Sequence, residues 1–183
     1  MKILHCADIH LDSKMENKLS PDQARERRKE ILEGFHNMIS YAEKNDIQTV
    51  LIAGDLFDRR HIRKTVKDEV KQEFISHPDI EFYYLRGNHD ITDFLDDLDE
   101  VPKNLHLFSA DRWTSYQCPD NIVITGRELD AKSSSDLLSE MVLDPSKVNI
   151  VMLHGQDSEY QSRDNAYTIE LPKLRGRYID YLA

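Results

Sequence analysis

The chain has 183 residues, enough for one domain with a sizeable buried core, and its 39% hydrophobic and 32% charged content is that of an ordinary globular protein. A net charge of −10, from 34 acidic and 24 basic residues, excludes a broad phosphate-backbone-binding surface and leaves room only for local phosphate binding. Cys6 and Cys118 make no CxxC pair and no disulfide framework, so a reducing cytoplasm is the expected setting; the apolar opening stops at Asp8, too soon for a signal peptide or a membrane span.

Residues 1–7 read as a first strand, nearly continuous in apolar residues like a strand covered on both faces. Asp8-Ile9-His10 follows. In an extended segment residues i and i+2 point the same way, so Asp8 and His10 can reach one ion. Residues 12–19 are polar and read as loop. Ser20-Pro21-Asp22-Gln23 then predicts a helix start, with Ser20 as cap, Pro21 at the first helical position and Gln23 completing a capping box. Ile31, Leu32, Phe35, Met38, Ile39 and Ala42 continue it at helical spacing. Arg25, Arg27, Arg28 and Lys29 read as a solvated face interleaved with Glu26 and Glu30, in preference to a phosphate contact.

Residues 46–53 predict the second strand, ending at Gly54-Asp55-Leu56-Phe57-Asp58. A second basic run, Arg59, Arg60, Arg63, Lys64 and Lys67, opens a helix to about Ser76, and Pro78 closes it. Residues 80–85 form the third strand and run into Arg86-Gly87-Asn88-His89-Asp90, with Gly87 permitting a tight turn. The order β-α-β-α-β argues for a parallel sheet with right-handed crossovers. After Asp90 come Asp93, Asp96, Asp97, Asp99 and Glu100. Phe94, Leu95 and Leu98 keep helical spacing there, so the reading is a solvated short helix and not a metal site. Residues 105–108 and 121–125 read as strands, with 116–118 as a further one. Residues 133–143 predict a modest helix, 148–153 the strand that delivers His154, 157–166 a polar loop, 171–175 a helical turn and 178–183 a strand. No linker or repeat divides the chain, so one domain over residues 1–183 is expected.

Four of these strands end alike. Asp8 and His10, Asp55, Asn88 and His89, and His154 all follow strand ends, where open α/β sheets bind ligands. Carboxylates, imidazoles and an amide oxygen suit divalent first-row metals better than calcium or an iron–sulfur cluster. A carboxylate can bridge two ions about 3.5–4 Å apart, the spacing of two-metal hydrolytic sites. His89, next to the site without coordinating, suits a general acid. His5, His36, His61, His77 and His106 lack such a context and read as structural or exposed, and Trp113 and the tyrosines as packing.

D-x-H, GD-x-x-D, GNHD and a later H-G, each after a strand and in this order, closely resemble the calcineurin-like metallophosphoesterases from Asp8 to the end of the chain. The resemblance implies a four-layer α/β/β/α sandwich whose second, mixed sheet comes from the later strands. It also implies that Asp8, His10 and Asp55 bind one metal, that Asp55 bridges to a second held by Asn88 and His154, and that His89 is the catalytic histidine. The segment from His5 to Asp12, the Arg-rich first helix and the segment from Leu51 to Asp58 look most like the SbcD-like DNA-repair exonuclease branch. The protein serine/threonine phosphatase branch reads GD-x-VDRG and GNHE, where this chain has Arg60 and Asp90. The family's last motif, GHxH, would follow a strand like residues 178–183. The expectation is therefore a C-terminally incomplete fold, each metal short of one histidine, lowered activity, and a strand edge open to homodimerisation.

The implied function is hydrolysis of phosphodiester bonds, nuclease-like, with two divalent ions, manganese first and iron or zinc next. The expected partner is a phosphoester, DNA among them, and no membrane. The alternatives are a phosphatase or phosphodiesterase for small phosphoesters, favoured by the acidic charge, and an inactive metal-binding domain, favoured by the missing motif.

Overall fold

The structure, a computed structural model, describes residues 1–15, 19–58, 62–90, 94–96, 98, 100–130, 137–159 and 167–183. Arg59, Arg60, His61, Asp93, Asp97, Asp99, residues 133–136 of the expected helix and residues 160–166 of the expected loop lie outside the described residues.

Alternating side-chain direction along buried strands sets the layers. The first half of the chain runs β1 (Leu4–Cys6), α1 (Pro21–Lys44), β2 (Thr49–Ala53), α2 (Lys64–Ser76), β3 (Glu81–Leu85) and β4 (Leu105–Leu107). These strands form one parallel sheet in the order β1-β2-β3-β4. Val50, Ile52, Phe82 and Tyr84 share a cluster with Phe35 and Ile39 of α1 and Val66, Val70 and Phe74 of α2, which places both helices on one face. Their sequence neighbours Leu51, Ala53, Tyr83 and Leu85 turn to the opposite face, as a period of two requires. The expected capping box forms at Ser20, whose side chain accepts from the Gln23 N–H while the Gln23 side chain accepts from the Ser20 N–H.

The later strands are β5 (Thr114–Gln117), β6 (Ile122–Gly126), β7 (Val148–Met152), β8 (Gln156–Asp157), β9 (Thr168–Ile169) and β10 (Tyr181–Leu182). A mixed sheet forms in the order β10-β7-β6-β5, with only the β5–β6 pair antiparallel, and β8 and β9 make a small sheet of their own. Ile122, Ile124, Ile150 and Met152 face the first sheet and close the central core. On the far side Val151 and Leu153 pack with Leu137, Leu138, Met141, Ile169 and Leu174, giving a fourth layer.

Three expectations change. The first strand is covered only in part: Leu4 and Cys6 pack on the helix side and Ile3 and Ala7 on the other, but β1 lies at the edge of its sheet and His5 is exposed. The fourth layer, among the described residues, is built on the 3₁₀ turns Leu137–Glu140 and Leu171–Leu174, so the described part of the helix expected over 133–143 holds one short 3₁₀ turn. Residues 94–96 form a turn and not a helix, because Phe94 is drawn into the core against Phe57 and Tyr84. No helix among the described residues is long and apolar enough to cross a membrane.

Candidate metal centre

The segment after β1 does not run extended, as the i, i+2 argument assumed. Asp8, His10 and Asp12 have φ of 53°, 51° and 61°, and Asp55 has φ of 50°. Left-handed backbone costs a residue with a Cβ roughly 1–2 kcal/mol, and aspartate and histidine are among the residues that adopt it most often. Hydrogen bonds to the segment after β2 hold the shape: the N–H groups of Asp8, His10 and Leu11 donate to the carbonyls of Gly54, Asp55 and Leu56 at 3.1, 3.0 and 2.9 Å. The Asp58 N–H returns a bond to the Leu11 carbonyl at 3.1 Å. Asp8 and His10 thus reach the same place by alternate left-handed residues, and not by strand periodicity.

Asp55 is the buried centre of the rim, 3% exposed. Its Oδ1 accepts the His89 N–H at 2.9 Å, while its Oδ2 lies 3.3 Å from His154 Nε2 and 3.7 Å from His10 Nε2. One carboxylate oxygen therefore sits between imidazoles from two different loops. Asp8, His10 and Asp55 bring one potential ligand atom each within 4.8 Å of one another. His154 Nδ1 lies 2.9 Å from the Ala53 carbonyl, so it must carry the proton and donate, which leaves the Nε2 lone pair facing Asp55. Two acceptors facing each other across 3.3 Å need a cation or a proton between them. That donor set fits a divalent ion. Burial pushes the Asp55 carboxyl up, but with a proton on His154 Nε2 the hydrogen bonds from that ring and from the His89 N–H outweigh it and leave the carboxyl low.

Two glycines let these loops meet. A Cβ on Gly87 would run into Asp55, both its Oδ1 and, at 2.6 Å, its backbone nitrogen. Gly87 has no positive φ, so the reason for glycine here is close approach to the carboxylate and not the tight turn expected. Gly54 carries both demands, with φ of 92° and a Cβ position that coincides with the His154 ring.

His89 and Asn88 are both half-buried in the turn after β3. His89 Nδ1 lies 3.2 Å from Asp58 Oδ1, and its ring meets that of His10 edge-on with centroids 5.2 Å apart. His10, Asp58 and His89 make a second group with ligand atoms within 4.8 Å.

Other residues were given no role by the sequence. The Asp90 carboxylate accepts the N–H of Gly87 and the N–H of Phe57, each at 2.8 Å, and so ties the third loop to the second. Burial raises this carboxyl to about 6, against the two N–H bonds that favour its charged form. Its place three residues after Gly87 was the available signal. Asp90→Ala would orphan two N–H groups at about 1–3 kcal/mol each. The expected result is a loss on the order of 2–4 kcal/mol, read as a lower urea midpoint at unchanged slope. Arg86 grips Glu128 by its N–H (3.2 Å), Nε (2.8 Å) and Nη2 (2.6 Å), joining the same loop to the end of the second sheet. Nothing local could have paired residues 42 apart.

Comparison with known proteins adds the following. The sequence pattern of the calcineurin-like phosphoesterases matches residues 1–181. The chain is 31% identical over 127 residues to the DNA double-strand break repair protein Mre11 of Aeropyrum pernix, covering 67% of this chain and 30% of that one. It is 31% identical over 114 residues to the uncharacterized metallophosphoesterase YhaO of Bacillus subtilis, covering 60% of this chain and 28% of that one. The matched part thus spans less than a third of either curated relative. Among solved structures, the crystal structure of Pseudomonas putida nuclease MPE aligns at a TM-score of 0.38 and 11% identity, covering 81% of this chain and 59% of that one, too remote to carry an argument.

Proposed function

The chain belongs to the calcineurin-like phosphoesterase family, and from that premise we propose that it is a dinuclear metal-dependent phosphoesterase that hydrolyses phosphodiester bonds in the manner of a nuclease. The observation that carries this reading is the position of Asp55 Oδ2, 3.7 Å from His10 Nε2 and 3.3 Å from His154 Nε2. Asp8, His10 and Asp55 would hold one ion; Asp55, Asn88 and His154 would hold the other. Two divalent ions there, manganese first and iron or zinc next, would supply Lewis acidity toward a phosphoryl oxygen and lower the pKa of bound water.

The chain's own groups do the rest. Asp55 is held in place by its Oδ1, which accepts the His89 N–H, while its Oδ2 faces the His154 and His10 imidazoles. His89 keeps a proton on Nδ1 by facing Asp58; as an imidazolium it would carry a second proton on Nε2, hand that one to the departing alkoxide as its bond to phosphorus breaks, and remain as the neutral ring. Gly54 and Gly87 allow the loops to close without a side chain between them. The similarity to a DNA double-strand break repair protein supports a phosphodiester and DNA as substrate. A net charge of −10 favours a second reading, a small phosphoester in place of a polynucleotide.

Turnover with manganese should be compared on single-stranded DNA, a cyclic nucleotide, bis(p-nitrophenyl) phosphate and p-nitrophenyl phosphate. The expected order puts the diesters ahead of the monoester. A faster monoester would replace the proposal with a phosphatase, and metal binding without any turnover would leave a metal-binding domain.

A further inference from the structure

The basic residues near the rim divide into two kinds. Arg25, Arg27 and Lys29 of α1 pair along their own helix with Asp22, Glu30 and Glu33, and stay largely exposed, as a solvated face should. Arg28 does not join them. Its side chain is only 21% exposed, and its Nη1 donates to the Lys14 carbonyl at 3.0 Å, with Nε 4.0 Å from Asp12. Arg63, just before α2, meets the same aspartate from the other side. Its N–H donates to Asp12 Oδ2 at 2.8 Å, and its Nε and Nη2 fork onto Asp12 Oδ1 at 2.8 and 2.6 Å.

Asp12 is 4% exposed at its side chain, so this carboxylate is fully committed to the protein. Two guanidinium groups face this one buried carboxylate directly, and Glu69 of α2 also acts on Arg63. The pair lies beside the reaction rim: Asp12 follows His10 by two residues, a span of at most about 7 Å. Leu11, between them, pairs with Phe57 next to Asp58. Arg63 remains 56% exposed, and the edge carrying Nη1 is not used by Asp12. A guanidinium held by a carboxylate on one edge and open on the other is pre-set for an incoming phosphate, because its rotamer entropy is already lost.

We propose that Asp12 mounts Arg63 and Arg28 as a binding subsite for a phosphate flanking the scissile one, so that the site takes a polynucleotide strand in preference to an isolated phosphodiester. This rests on the phosphodiesterase reading above and names the substrate feature that the site recognises. It also reconciles strand binding with an acidic chain: the positive charge needed is local and built in beside the rim.

The test is anisotropy of a fluorescein-labelled single-stranded oligonucleotide over a sodium chloride series, with manganese withheld so that nothing is cleaved. Arg63→Ala and Arg28→Ala should each weaken binding about 5–10-fold at low salt. Each should also reduce the salt slope by roughly 0.7, the value for one phosphate contact on a single strand. Arg63→Lys, which keeps the charge, should retain most of the slope, and Arg25→Ala should bind like the parent. A purely structural role for Arg63 would lower the thermal midpoint and leave the slope intact, which overturns the proposal. So would an equal loss in Arg25→Ala, or no binding by the parent chain at low salt. Turnover of bis(p-nitrophenyl) phosphate with manganese, measured in parallel on the parent, judges the phosphodiesterase reading separately. Its absence would sink that reading whatever the oligonucleotide does.

Discussion

His89→Ala is expected to lower phosphodiester turnover by about 10²–10⁴-fold, the usual contribution of a positioned general acid, while manganese still binds. The reason is the division of labour on this imidazole. Nδ1 faces Asp58 Oδ1 at 3.2 Å, so the ring is oriented by a carboxylate and its other nitrogen is left for the leaving oxygen. The His89 backbone, by contrast, supports Asp55 through its N–H, and alanine keeps that bond. The substitution therefore removes the proton donor without removing the support for Asp55. Asp58→Asn should move turnover the same way by less, because it spoils the tautomer and leaves the ring in place. The structure also holds a competing arrangement: His10, Asp58 and His89 converge within 4.8 Å of one another. If His89→Ala loses a manganese equivalent in calorimetry together with turnover, His89 is a ligand and the general-acid assignment is wrong.

The strand ends were legible because apolar runs of five buried residues, as in β2, leave little doubt about where a strand stops and polar residues begin. The capping box at Ser20 was legible because its physics lies within four residues. The conformation that aims the side chains was not. Asp8 and His10 read as an extended pair, yet both are left-handed, stabilised by bonds to the Gly54 and Asp55 carbonyls more than 40 residues away. Gly87 read as a turn residue, but its hydrogen is needed because Asp55 lies against it. Arg28 looked like its neighbours Arg27 and Lys29, and only the approach of Asp12 and Lys14 separates them. In each case the deciding partner comes from another loop, and periodicity carries no information about it. The helix expected in the fourth layer was misread for a related reason. Leu137, Leu138 and Met141 keep an apolar face, but a face that narrow is satisfied by a 3₁₀ turn as well as by a helix.

Asp55→Asn should abolish most of the stabilisation that manganese gives. An ion that binds only the folded chain stabilises it by RT ln(1 + [L]/Kd), about 2.7 kcal/mol at a hundredfold excess over Kd. For a chain of this size each kcal/mol moves the midpoint roughly 2–4 °C, so the parent should gain about 5–11 °C. Asp55 is the residue on which that gain depends, since its Oδ2 faces both His154 and His10. Asparagine keeps an oxygen to accept the His89 N–H, so the metal-free fold should lose little. The contrast makes the experiment informative: near-equal midpoints without metal, and a shift of several degrees with manganese in the parent alone. An equal shift in both proteins would mean that the ion does not depend on Asp55. The bridge between the two sites would then have to be sought elsewhere, with the group formed by His10, Asp58 and His89 as the next place to look.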